Sequence, residues 1–125
     1  MKKEIKTDKA PLALGPYSQA VETNGTIYVS GQLPINPSSG MIEVDDVASQ
    51  TRRVFDNLKN ILEKAGYSLS DVVKTTVLLK DINDFNAMNN IYAEYFERPY
   101  PARIAYEVKA LPKDAKIEIE LIATK

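Results

Sequence analysis

Pro101-Ala102-Arg103-Ile104-Ala105-Tyr106-Glu107-Val108, followed by Lys116-Ile117-Glu118-Ile119-Glu120-Leu121-Ile122, reads as two strands, one with an arginine set into an apolar run and the next with two carboxylates. An arginine is almost never fully buried without a partner, so Arg103 asks for an anion, either a protein carboxylate or a ligand. Folded as an antiparallel hairpin symmetric about residues 110 and 111, the two strands place Arg103 opposite Glu118, close enough for a charge-assisted pair. Alternation puts Glu118, Glu120 and Ile122 on one face of the last strand and Ile117, Ile119 and Leu121 on the other. The two carboxylates are then about 7 Å apart along the strand. Pattern alone favours a solvated face with an exposed ion pair. The functional alternative has Arg103 gripping a ligand carboxylate while Glu118 orients water.

Working back along the chain, a helix is expected from about Phe85 to Phe96, capped by Asp84, with Phe85, Met88, Tyr92, Tyr95 and Phe96 on one face. Asn89 falls on that apolar face, where a short amide costs free energy unless it is satisfied, and capping a neighbouring backbone group is its ordinary use. Val72 to Leu79 is β-branched and short, hence a strand. From Val47 to Ala65 the apolar positions recur at helical spacing, with Asp45 or Asp46 as N-cap and Gly66 as the stop. Asn24-Gly25 between Gln19-Ala20-Val21-Glu22-Thr23 and Thr26-Ile27-Tyr28-Val29-Ser30 is a strong hairpin signal. A two-residue loop there sets Thr23 against Thr26, Val21 against Tyr28 and Gln19 against Ser30, with Tyr17 beside Gln32. That side of the ribbon carries hydroxyls and amides, while Ala20, Ile27 and Val29 read as core.

The order is strand, strand, strand, helix, strand, helix, strand, strand, which lacks the strict alternation of a parallel sheet. One α+β domain over residues 1–125 is expected, with two helices packed on one face of a mixed or antiparallel sheet. The second sheet face must meet something, so oligomerisation is expected as well.

Composition narrows the chemistry. At 125 residues the chain can bury a core without staples. Its net charge of −1 gives no long-range pull toward phosphate backbones, so nucleic acid is not favoured. With no Cys and no His there is no thiolate or imidazole metal site, no Ser-His-Asp triad and no cysteine nucleophile. No metal or cofactor is expected. The apolar runs are too short for a signal peptide or membrane span, so a soluble, cytoplasmic protein is expected. Hydroxyls such as Tyr17 and Ser30 on a hairpin face are ordinarily solvated, Gly15-Pro16 is turn chemistry, and the helical spacing of Tyr92, Tyr95 and Phe96 reads as core rather than a stacking platform.

Ala13-Leu14-Gly15-Pro16-Tyr17-Ser18-Gln19-Ala20, Val29-Ser30-Gly31-Gln32, the run from Asp81 to Tyr92, Pro101-Ala102-Arg103, and Leu111-Pro112-Lys113 with Ile117-Glu118-Ile119-Glu120 together resemble the Rid family. These are reactive intermediate deaminases, also known as endoribonuclease L-PSP or translation inhibitor proteins, and the resemblance spans essentially the whole chain and follows the arginine-containing subgroup. It implies a chorismate-mutase-like fold, a homotrimer with active sites in the clefts between subunits, and hydrolysis of 2-imino acids such as 2-iminobutanoate and 2-iminopropanoate to 2-oxo acids and ammonia. These imines come from pyridoxal phosphate-dependent dehydratases, so the role implied is detoxification of reactive metabolites.

By the same resemblance, Arg103 would bind the substrate carboxylate bidentately and Glu118 would position the attacking water. Tyr17, Ser30, Gly31 and Asn89 match positions lining the cleft, Tyr17 with a catalytic part and Asn89 from across the interface. Many relatives carry a cysteine where this chain has Ala105, so only a backbone carbonyl could hold water there. A protonated imine is already electrophilic, so positioning and a proton acceptor suffice. Two alternatives stand beside this reading: an endoribonuclease or translation inhibitor, and a non-catalytic trimer that binds small molecules.

Overall fold

The computed structural model describes all 125 residues. Its strands are β1 (Lys3–Ile5), β2 (Ala20–Thr23), β3 (Thr26–Gln32), β4 (Val72–Leu79), β5 (Ala102–Glu107) and β6 (Ile117–Thr124), and its helices are α1 (Val47–Lys64) and α2 (Phe85–Tyr92). The strands form one mixed sheet in the order β1-β2-β3-β6-β4-β5. Both helices lie on one face, so the fold is α+β with a single layer of helix over the sheet.

The hairpin forms in the expected register, Thr23 with Thr26 and Val21 with Tyr28. Asn24 and Gly25 both have positive φ, 51° and 76°, as a two-residue turn matching the twist of the strands requires. Ala20, Ile27 and Val29 are buried. Gln19, read as part of the polar side of the ribbon, is buried. Its amide accepts from the Thr7 N–H at 2.8 Å and donates to the carbonyls of Thr7 and Pro11 at 2.9 and 2.8 Å. It thereby ties the N-terminal segment to the sheet edge, a long-range use that local alternation does not reveal.

Asp46 caps α1 by accepting from the Ser49 N–H at 2.8 Å, and Gly66 follows the helix end. Helix α2 is shorter than expected and ends at Tyr92 rather than Phe96. Tighter bonds, Glu94 N–H to Ile91 and Tyr95 N–H to Tyr92, turn the chain so that Tyr95 stacks on Phe55 at 4.3 Å and Phe96 meets the same ring edge-on at 5.6 Å. Aromatic packing against α1 overrides the helical pattern there. Asp84 provides no side-chain cap; Asp81 instead caps the preceding 3-10 turn by accepting from the Asn83 N–H.

The largest departure concerns the two closing strands, which do not form a hairpin. β5 pairs in parallel with β4, Arg103 beside Thr75, while β6 lies between β3 and β4 and is antiparallel to both. A parallel pair needs a long crossover, and residues 80–101, including α2, supply it. Burial explains the choice. Ile117, Ile119, Leu121 and Ala123 of β6 are all buried under the helices, which suits a central strand, whereas β5 carries the exposed Arg103, Ile104 and Tyr106 and forms the edge.

Register then decides which residues share a face. Thr75 is buried on the helix side and Arg103 stands beside it, so Arg103 belongs to the helix-covered face. Glu118 pairs with Leu78, between the buried Val77 and Leu79, so it belongs to the opposite, uncovered face. The expected Arg103–Glu118 cross-strand pair is therefore absent: β4 separates the two residues and they point to opposite sides.

Candidate active site

The arginine half is built on the edge strand and α2. The Arg103 guanidinium lies over the Tyr92 ring at 4.7 Å and the Phe85 ring at 5.3 Å, and its Nη1 donates to Asn89 Oδ1 at 2.7 Å. Asn89 is thus satisfied by the arginine rather than by a backbone group. Residues 89 and 92 lie one helical turn apart, which is why one face of α2 can offer both an acceptor and an aromatic shelf. No carboxylate of the chain pairs with Arg103; the ion pairs are Arg52–Glu94, Arg53–Asp56 and Lys80–Asp114. A shallow cleft opens beside it, walled by Tyr92, Ala93, Tyr100 and Pro101. Ala105, two residues along β5, packs against the core on this same helix-covered face, away from Glu118.

The glutamate half is built on backbone geometry. Val29 pairs with Leu121 and Gln32 with Ile119, so Ser30 and Gly31 together oppose the single residue Glu120. This bulge re-aims the strand and opens a space that the Glu118 side chain enters. A β-carbon at Gly31 would overlap the Glu118 carboxylate, so glycine is required by close approach rather than by backbone angle. Ser30 Oγ donates to the Ser18 carbonyl at 2.6 Å, which fixes the hydroxyl and leaves its lone pairs available. Tyr17, Ser30, Gly31, Glu118 and Glu120 line one cleft with Leu12, Leu14 and Lys113. Partial burial, reinforced by the Glu120 charge, raises the Glu118 carboxyl above the ordinary carboxylate range.

The six singled-out side chains and Gly31 thus fall into two sets. Arg103 and Asn89 meet directly, with Ala105 on the same face; Tyr17, Ser30, Gly31 and Glu118 meet around the bulge. Sequence reasoning did not find Tyr92 and Phe85 as the shelf beneath Arg103, although their spacing from Asn89 on α2 is a readable signal. The Ser30-Gly31 bulge left no local signal beyond the glycine itself.

The family model described as Endoribonuclease L-PSP matches residues 7–125. The chain belongs to the Rid family. A RutC family protein of Pyrococcus horikoshii is 55% identical over 125 residues, covering 100% of this chain and 99% of that one. A Homo sapiens 2-iminobutanoate/2-iminopropanoate deaminase is 52% identical over 123 residues, covering 98% of this chain and 90% of the human one. Among solved structures, a Rid-family protein of Yersinia pestis superposes with a TM-score of 0.97 at 47% identity, over 100% of both chains. At that TM-score the Yersinia pestis protein has the same fold over its whole length.

Proposed function

We propose that this Rid protein hydrolyses small 2-imino acids, 2-iminobutanoate and 2-iminopropanoate among them, to 2-oxo acids and ammonia. The observation that carries the reading is the state of Arg103: a guanidinium set over two rings and bonded to one neutral acceptor, with no carboxylate partner. A planar fork of that kind suits a carboxylate bound in its plane. Identity of half the residues with a human protein named for this activity supports the same reading.

Chemistry asks for little more. Arg103 orients the substrate by its carboxylate, and water adds to the imine carbon. Glu118, ionised, accepts one proton from that water and passes it to the nitrogen, then takes the remaining hydroxyl proton as C=O forms and the C–N bond breaks, and that proton leaves with the ammonia as ammonium. A carboxyl raised toward neutral pH is better matched to both transfers than an ordinary one. Tyr17 and Ser30 offer hydroxyls to the same cleft. Cofactors have no part in this scheme.

Because Arg103 and Glu118 occupy opposite faces of one sheet, a complete cleft needs two copies of the chain, with Arg103, Asn89 and Ala105 from one and Glu118, Gly31, Ser30 and Tyr17 from the next. Tyr28, Ile104 and Tyr106, each close to half exposed, line the face through which copies would pack. Closure of this head-to-tail contact gives a ring, and the family resemblance makes it a homotrimer. We place it in the cytoplasm, clearing imines released by pyridoxal phosphate-dependent dehydratases. No helix is long and apolar enough to cross a membrane. RNA cleavage, which the family's description names, finds no basic stripe at either half.

The decisive experiment is ammonia release from freshly generated 2-iminobutanoate. Arg103→Ala is expected to cost about three orders of magnitude in kcat/KM, the scale of losing one partner of a charge pair that becomes desolvated when two copies close the cleft over it. Acceleration unchanged from wild type would remove Arg103 from the site.

A further inference from the structure

The shelf beneath Arg103 has an anchor of its own. Tyr92 OH and Thr75 Oγ1 are 2.8 Å apart, with Thr75 wholly buried and Tyr92 nearly so. Thr75 is also the residue that β4 sets directly beside Arg103 in the parallel register. One cross-strand pair therefore carries both the hydroxyl that anchors the ring and the guanidinium that rests on the ring. Phe55 at 5.8 Å and Phe96 at 4.8 Å pack the same ring and restrict its tilt. A guanidinium stacks on aromatic faces, so the plane of the ring dictates the plane of the fork. Asn89, accepting from Nη1, sets the remaining freedom, rotation within that plane.

We propose that Tyr92, held by Thr75, is a positioning residue that sets the plane in which Arg103 presents its fork, so that the two control carboxylate affinity without touching the carboxylate. The proposal rests on the deaminase reading for its kinetic consequence and on geometry alone for the orientation of Arg103. A buried tyrosine whose hydroxyl met nothing would cost stability, so the Thr75 partner also explains why tyrosine is tolerated here. Tyr92 thus has a second task beyond core packing.

The test uses Tyr92→Leu, which removes the ring, and the near-isosteric Tyr92→Phe and Thr75→Val, which remove only the hydroxyl contact and keep the protein folded. In 15N-labelled protein the Arg103 Nε–Hε resonance, one of only four arginine signals, reads ring orientation directly through the ring current. It is expected to move most in Tyr92→Leu, where only the Phe85 ring remains beside the guanidinium, and less in the other two, while the Arg98 signal, over the Tyr100 ring at 5.3 Å, stays in place as a control. In the imine assay KM is expected to rise about tenfold for Tyr92→Leu and about threefold for Tyr92→Phe and Thr75→Val, with kcat nearly unchanged. The Kd for 2-oxobutanoate should rise in parallel.

An Arg103 resonance that stays put in all three variants, or a fall in kcat with KM unchanged, would overturn the proposal and leave Tyr92 a packing residue. If Arg103→Ala hydrolyses imines as well as wild type, the deaminase reading falls, while the Nε–Hε shift still decides what orients the guanidinium.

Discussion

The two halves of the cleft are held by opposite means. Arg103 stands on an edge strand, exposed, and is oriented by side chains: an amide and two rings from α2. Glu118 stands on a central strand and is oriented by backbone: a bulge and a missing β-carbon on β3. An arginine stays charged wherever it is put, so its site can be assembled from soft, exposed contacts. In the proposed mechanism Glu118 accepts and returns a proton, a task that partial burial favours, and burial is what a central strand provides. The division of labour follows from the two charges.

If the halves belong to different subunits, two dead proteins can repair each other. Arg103→Ala and Glu118→Gln are each expected to be inactive as pure oligomers. Co-folded in equal amounts, every mixed trimer contains one cleft with both native residues, and the preparation should recover about a quarter of wild-type activity. No recovery, with mixed trimers demonstrated by mass, would show that one subunit supplies both residues and would break the comparison at its root.

The contrast also bears on what a reader of the sequence can see. Local chemistry was legible: Asn24-Gly25 with its register, the Asp46 cap and Gly66 stop of α1, and the β-branched run of β4 all follow from neighbours in sequence. What was not legible is non-local. Nothing in residues 109–116 says that the chain will cross β4 so that β6 inserts between β3 and β4; only the sum of burial along Ile117, Ile119, Leu121 and Ala123 makes that placement favourable. The expected Arg103–Glu118 pairing failed for this reason. Arg103, Glu118 and Asn89 were visible as odd residues for their surroundings, whereas the Tyr92 shelf was missed: its spacing from Asn89 is a signal only once Arg103 is known to lie beside α2.

Gly31 gives the sharpest test of the backbone-built half. Its φ is not in the left-handed region, so alanine is compatible with the local backbone, yet the new methyl group would occupy the space of the Glu118 carboxylate. Gly31→Ala is expected to fold, to lose about a hundredfold in kcat from misplacement of the proton acceptor, and to bind 2-oxobutanoate at Arg103 nearly as before. A loss of binding equal to the loss of rate would mean that the two halves are not mechanically separate.

The smallest effect tests the electrostatics of the same half. Burial is the leading cause that raises Glu118 and the Glu120 charge adds to it. In the proposed mechanism the active form is the ionised one, so activity is expected to fall as pH drops through the Glu118 pKa, at a higher pH than an ordinary carboxylate would give. Glu120→Gln removes a like charge from the same strand face, which makes ionisation of Glu118 easier and moves the acid limb of kcat/KM to lower pH. Because burial, the leading cause, remains, the acid limb should move down only part of the way toward that of an ordinary carboxylate. Stability gives an independent sign. A carboxyl raised in the fold is favourable when protonated and loses that contribution as pH rises through its folded pKa. Glu118→Gln should therefore melt at the same temperature as wild type in acid and at a higher one at neutral pH. An acid limb that Glu120→Gln leaves unmoved, together with a Glu118→Gln melting point that does not gain on wild type as pH rises, would assign proton transfer to another group and leave Glu118 a carboxylate that only orients water.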